Sequence, residues 1–351
     1  MEIDFVIEKF ILVIALFAIS LLIAMYSTYA ERKVAAFLQD RLGPDRAGPF
    51  GILQPLADGV KMFMKEEIIP ANANKWLFMV GPGLAMLCAC IGTAVIPWGQ
   101  DMMVGDRLVK LQVTDINVGL LYIFGVISLG VYGVMIGGWA SNNKYSLLSA
   151  IRAASQNISY EIAMGLSIIA LLLVTNSLSL REIVSQQHGF WADGWFTWNF
   201  FKQPLGFIIF MVCAFAETNR APFDLPECEA ELNGGYHMEY SSMKLGFYLF
   251  AEYINMFVSS VVMAALYFGG YNYPGMDYMA GLLGPTWAPL FGTAIFFLKI
   301  FAFIFFFMWV RWTIPRFRYD QLMSLGWKGL IPLAIANIVI TGIVIALTNN
   351  F

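Results

Sequence analysis

Eight apolar segments, most of them near the ~20 residues that carry an α-helix across a bilayer, confine this chain to one class of fold. They run approximately 9–30, 76–98, 116–139, 157–180, 201–217, 244–268, 288–312 and 329–348. Backbone polar groups in hydrocarbon must pair within the protein, so only helices and closed barrels span a membrane, and long continuous apolar runs favour helices. The composition agrees: 13% of the 351 residues are charged and 59% hydrophobic, against roughly 25% charged in an average soluble domain. The expected fold is all-α: a polytopic bundle of about eight transmembrane helices in a single membrane domain covering residues 1–351. The first segment follows an acidic stretch (Glu2, Asp4, Glu8) with no small-residue cleavage site, so it is expected to remain as a helix rather than leave as a signal peptide.

Composition also removes function classes. A net charge of −3 signals no polyanionic partner, so nucleic acid is not expected. The four cysteines (Cys88, Cys90, Cys213, Cys228) form no CxxC pair and lie mostly in apolar runs, which gives no zinc, iron–sulfur or disulfide framework. No P-loop, no GxGxxG after a strand and no haem-spaced histidine pair is present, and His188 and His237 are isolated. Any redox reaction must therefore use a cofactor held by a partner.

Lysine and arginine set the orientation. Fifteen of the 21 fall in loops 31–75, 140–156, 218–244 and 311–328, five lie on the opposite side (Lys9, Arg107, Lys110, Arg181, Lys202), and Lys299 sits inside the seventh segment. The bias places the basic loops in the cytoplasm and both termini outside. Phe190-Trp191 and Trp195 to Trp198, on the outer side, read as an interfacial aromatic belt.

The basic loops hold the unusual sequence. In the first, Gly43-Pro44 and Gly48-Pro49 impose turns, and Leu53, Leu56, Val60, Phe63 and Met64 then repeat at the spacing of one helical face, which predicts an amphipathic helix on the surface. Asp58 and Lys61 are an i,i+3 pair on it, and Asp58 lies between Ala57 and Gly59, small enough for a partner backbone to approach. In the third, Glu217, Asp224, Glu227, Glu229 and Glu231 place five carboxylates within fifteen residues beside Arg220. Such crowding raises carboxyl pKa values wherever water is excluded, so these groups are candidates to bind and release protons. Pro222, Phe223 and Pro226 stiffen the loop, and an ordered site is expected rather than a solvated one.

Charges also stand within or at the ends of the apolar segments. Glu161 begins the fourth, Glu217 ends the fifth, Glu252 lies about two turns into the sixth and Lys299 is near the middle of the seventh. Each costs at least ~2.5 kcal/mol on insertion scales, so such groups usually face the bundle interior. Glu161 and Glu217 are placed where snorkelling to the interface is an equal alternative. Glu252 is too deep for that, and Tyr248, four residues earlier on the same face, and the adjacent Tyr253 are its expected hydrogen-bond partners. Gly130, Gly133 and Gly137 fit a close helix–helix contact.

Two stretches carry a family resemblance. Residues 51–61 (GILQPLADGVK) and 217–229 (ETNRAPFDLPECE) resemble the signature stretches of the H-type membrane subunit of respiratory complex I, the proton-pumping NADH:quinone oxidoreductase, and the similarity extends over essentially the whole chain. The resemblance implies a bacterial inner-membrane subunit at the joint between the membrane arm and the peripheral arm, with ubiquinone or menaquinone as substrate. FMN, NADH and iron–sulfur clusters are then expected on partner subunits, beside small and antiporter-like membrane subunits. It further implies a quinone tunnel near Arg41, Asp58, Lys61, Arg220, Phe223 and Asp224. A coupling chain maps onto Glu161, Glu217, Glu227, Glu229 and Glu252, with Arg152 and Lys144 as its basic partners.

Other readings stay open on sequence alone. Membrane-bound hydrogenases and formate hydrogenlyases contain a related subunit, against which the Arg41–Lys61 loop favours a quinone-facing member. A lone proton-coupled transporter would be expected to show internal repeats and a midplane site. A passive anchor would have little use for Glu252.

Overall fold

The computed structural model describes residues 2–104, 107–188, 191–192, 195–226 and 232–348. Its helices are α1 (Glu2–Leu38), α2 (Gln54–Met64), α3 (Lys75–Ile91), α4 (Gly119–Ala140), α5 (Lys144–Thr175), α6 (Leu180–Ser185), α7 (Asn199–Lys202) and α8 (Pro204–Glu217), followed by α9 (Ser242–Tyr267), α10 (Met276–Thr313), α11 (Tyr319–Ser324) and α12 (Ile331–Thr348). A π-helical turn, Leu325–Leu330, fuses α11 to α12. Among the described residues seven helices are long and apolar enough to cross a membrane, and Pro204–Glu217 is a shorter apolar helix of 14 residues. Among the described residues the strands form two small antiparallel pairs: Met102–Val104 with Arg107–Val109, and Trp191–Ala192 with Trp195–Phe196.

Several helices outrun the apolar segments that announced them. At 1.5 Å per residue the 37 residues of α1 extend about 55 Å, well beyond a hydrocarbon core of ~30 Å, so Glu31 and Arg32 lie on its projecting end. α5 begins at Lys144, where Asn143 caps Tyr145 N–H at 2.9 Å, and not near residue 157. Its first turns are polar yet helix-compatible, which hid them from an apolar window. α10 begins at Met276 and bends at Gly284 (φ 73°, ψ 175°), ahead of Pro285 and Pro289.

The core is built around α9. In its most apolar stretch 78% of residues are buried, against 22% for α1 and for the last span, and every residue from Met256 to Tyr267 is inside. A charge on α9 therefore faces protein. α3 and α4 pack closely because α4 presents glycine: a Cβ on Gly133 would stand 2.7 Å from Ala85 N, and one on Gly137 would strike the Tyr248 hydroxyl. Gly130 makes only an ordinary contact, with Cys88 Cβ at 3.7 Å.

α2 lies against the start of α9, tied there by Ser242 Oγ donating to Met62 O (3.1 Å) and Ser241 Oγ to Glu66 O (3.2 Å). The turns before it form as expected, with Gly48 at φ 75° and Gly51 at φ 80°, where a side chain would meet the Pro44 carbonyl. Its apolar residues Leu53, Leu56, Val60, Phe63 and Met64 remain exposed.

Lys299 has a structural task at the opposite end of α9. Its ammonium donates to the carbonyls of Phe268 (2.6 Å), Gly270 (2.9 Å) and Asn272 (2.6 Å) and sits 4.7 Å from the centroid of Trp198, its cation–π partner. It satisfies carbonyls of the turn that follows the helix. Lys299→Met should lower the melting temperature of the extracted subunit by the equivalent of about 1–3 kcal/mol, with Lys299→Arg recovering part of it. An unchanged melting curve would show that the turn is held without the lysine.

Candidate functional site

Polar groups from α9, α10 and the loop after α8 converge on Glu31 of α1, which is 6% exposed. Arg220 Nη1 reaches Glu31 Oε2 at 3.1 Å, Tyr253 Oη donates to the same oxygen at 2.8 Å, and Arg311 Nη1 meets Oε1 at 2.5 Å. The Arg220 guanidinium also lies 4.1 Å from the centroid of the Tyr253 ring. Asp224, 3% exposed, accepts from Arg316 Nη2 at 2.9 Å, and Phe317 N–H donates to Pro222 O at 3.1 Å. Buried charges persist only when paired and hydrogen-bonded, and here both conditions are met across a wide sequence separation.

Residues 218–226, the part of the loop that carries Arg220 and Asp224, are all buried, whereas 227–231 lie outside the described residues. Gln156 Nε2 on α5 donates to the carbonyls of Ala216 (2.8 Å) and Phe223 (3.0 Å), and Ser149 donates to Pro226 O. Phe223 packs edge-on to Tyr160 at 5.3 Å and against Phe317 at 5.5 Å, so its ring helps to fix the loop.

Where that loop leaves α8, Glu217 opens into a cavity of about 40 Å³ shared with Asn157, Asn219, Tyr236, Tyr248, Glu252 and Asn255. Tyr236 Oη donates to Glu252 Oε1 at 2.7 Å. Tyr248, the partner expected from its spacing, instead donates to Gly133 O at 3.0 Å. The glycines of α4 leave space that the longer ring fills, and Tyr236 comes from the preceding loop to take its place beside Glu252. Tyr240 stacks on Phe78 at 4.0 Å, and burial pushes its hydroxyl pKa up to about 12, so it stays neutral at physiological pH.

The other expected residues are spread along the same face. Glu161, half-buried, accepts from Ser128 on α4. Arg152 lies 5.5 Å from the Tyr319 ring centroid. Asp58 pairs first with Arg32 (2.7 Å) and only then with Lys61 (3.7 Å), and it accepts from Gln54 Nε2 at 3.2 Å. Arg41 is exposed, with its Nε donating to Gln39 Oε1 at 2.7 Å, and it does not join the Asp58 group. Glu227 and Glu229 lie outside the described residues. Glu31, Tyr236, Arg311 and Arg316 were not singled out by spacing, and Tyr253, expected beside Glu252, donates to Glu31. Only Glu31 gave a signal, as a carboxylate at the end of an apolar run beside Arg32 and Lys33. Among the described residues no group of three His, Cys, Asp or Glu side chains could hold a metal ion.

Comparison with known proteins bears on what this arrangement serves. Residues 10–342 match the family described as NADH dehydrogenase. An H-type subunit of NADH-quinone oxidoreductase from Cytophaga hutchinsonii is 67% identical over 345 residues, covering 98% of this chain and 98% of that protein. The corresponding subunit of Flavobacterium psychrophilum is 63% identical, with 99% of each chain covered, and one from Geobacter metallireducens is 48% identical, covering 95% of this chain and 94% of its own length.

Proposed function

This chain belongs to the NADH dehydrogenase family, as an H-type membrane subunit of NADH-quinone oxidoreductase, and from that premise we propose that it forms the quinone-access tunnel at the joint with the peripheral arm and couples quinone reduction to proton translocation. The basic face, with fifteen of the lysines and arginines, lies in the cytoplasm and both termini are periplasmic. A hydrophobic quinone tail enters from the bilayer beside the exposed apolar face of α2, and its head group moves toward Arg41, Asp58, Lys61, Arg220 and Asp224, with Phe223 holding the inner wall. FMN, NADH and iron–sulfur clusters reside on partner subunits. They supply the two electrons that, with two protons, convert a quinone to a quinol.

The coupling chain comprises Glu161, Glu217, Glu227, Glu229 and Glu252, with Arg152 beside it. The observation that carries this reading is the cavity that Glu217 and Glu252 line together, with Asn219 of the loop bearing Arg220 and Asp224 in its wall. Taking up negative charge and protons during quinone reduction alters the field at that loop. A carboxyl held in a small polar cavity responds by changing its proton affinity.

The test uses the whole complex in sealed vesicles. Glu217→Gln and Glu252→Gln should each lower the protons translocated per NADH oxidised several-fold, because a carboxamide accepts the same hydrogen bonds but carries no exchangeable acid. Wild-type stoichiometry in both variants would sink the relay.

A further inference from the structure

Asn157 brings a buried acceptor to the carboxylate cavity. It stands on α5 one turn before Glu161, is 7% exposed, and lines the cavity together with Glu217 and Glu252. Its Oδ1 has no hydrogen-bond partner among the described residues. Buried amide oxygens are almost always satisfied by protein or by ordered water. The cavity holds about 40 Å³, more than the ~10–15 Å³ one water needs, and Glu217, Asn219, Tyr236, Glu252 and Asn255 bring further polar groups to its walls.

We infer that Asn157 is a positioning residue that holds a water in this cavity and so completes the proton link between Glu217 and Glu252. The inference rests on the coupling chain proposed above. The water donates one O–H to Asn157 Oδ1, which fixes its orientation, and its remaining O–H and lone pairs face the two carboxyls. In each transfer the protonated carboxyl gives its proton to the water oxygen while the water gives a proton to the carboxylate opposite, so that the water is regenerated and one unit of positive charge has moved. Asparagine suits the task because it orients the water without itself titrating.

The experiment compares Asn157→Leu, which keeps the branched heavy-atom shape and has no polar atom, with Asn157→Asp, which retains the oxygen, in the whole complex reconstituted in sealed vesicles. Protons translocated per NADH oxidised are read because this ratio does not depend on how much complex assembles. The expected result is a several-fold fall for N157L and recovery for N157D, with a map of the wild-type complex placing an ordered water within about 3 Å of Oδ1. A wild-type ratio in N157L, while Glu217→Gln and Glu252→Gln are impaired, would overturn the water and leave the relay standing. Wild-type ratios in those two variants would overturn the relay itself. Should N157L not assemble, absence of ordered water at Oδ1 in the wild-type map, or a fallen ratio in N157D, overturns the inference.

Discussion

Glu31→Ala should strip most of the subunit from assembled complex, because it leaves two guanidinium groups facing one another without their shared carboxylate. The Arg220 side chain is 5% exposed and cannot turn to water, whereas Arg311 at 27% can do so in part. Removing one member of a buried ion cluster typically costs about 3–5 kcal/mol, most of it the penalty of a charge left buried. Tyr253 also loses the acceptor for its hydroxyl. The measurement is the amount of tagged subunit in assembled complex, together with its melting temperature after extraction. A second variant sharpens it: Glu31→Ala combined with Arg220→Ala should lose less than the two single losses together, since the second change removes the stranded charge. Wild-type levels for Glu31→Ala would mean that the arginines are neutralised elsewhere.

Gly137→Ala is the second large effect, and it arises from packing alone. The new methyl would fall on the Tyr248 hydroxyl, 3.1 Å from its Cζ and 2.9 Å from the Tyr240 hydroxyl. The two rings already meet edge to face at 5.1 Å, and Tyr248 is bonded to Gly133 O, so neither has an easy retreat. Overpacking of this kind costs about 1–3 kcal/mol, occasionally more. Gly137→Ala with Tyr248→Phe should recover part of the loss by deleting the atom that is struck. Gly130→Ala, two turns away with only an ordinary contact, should melt like the wild type. Equal melting of all three variants would mean that α4 and α9 separate freely to make room.

Features that depend on neighbours along the chain were legible before the fold was known. The apolar segments, the amphipathic α2 and the close-packing glycines of α4 each express a local period or a local shape. Pairings across the chain were not. Glu31 and Arg220 are 189 positions apart, and no spacing rule connects them. Tyr248 was favoured as the partner of Glu252 because i and i−4 share a helical face, but that rule says nothing of the glycine-lined gap on α4 that draws the ring away. Arg311 and Arg316 entered the sequence argument only as positive charges in a loop, and their partners are acidic residues on other elements. The polar beginning of α5 was invisible for a different reason. A search for membrane-like sequence cannot find the part of a helix that projects from the membrane.

The burial of α9 carries a consequence for how the molecule is made. The most apolar stretch of α9 is the least hydropathic among those of the seven long helices, since the helix brings Glu252, Asn255, Ser259 and Ser260 into the centre of the bundle. Alone in lipid it would be the poorest candidate for insertion, because polar and charged side chains weigh heavily against entry into hydrocarbon. Yet α1, α3 and α8, three of the helices packed around it, emerge from the ribosome first, and α10 follows. By the time Ser242 leaves the exit tunnel, a polar-lined slot made of protein can already be waiting in the bilayer. Chain order thus lets the helix that lipid would reject be received by its own predecessors.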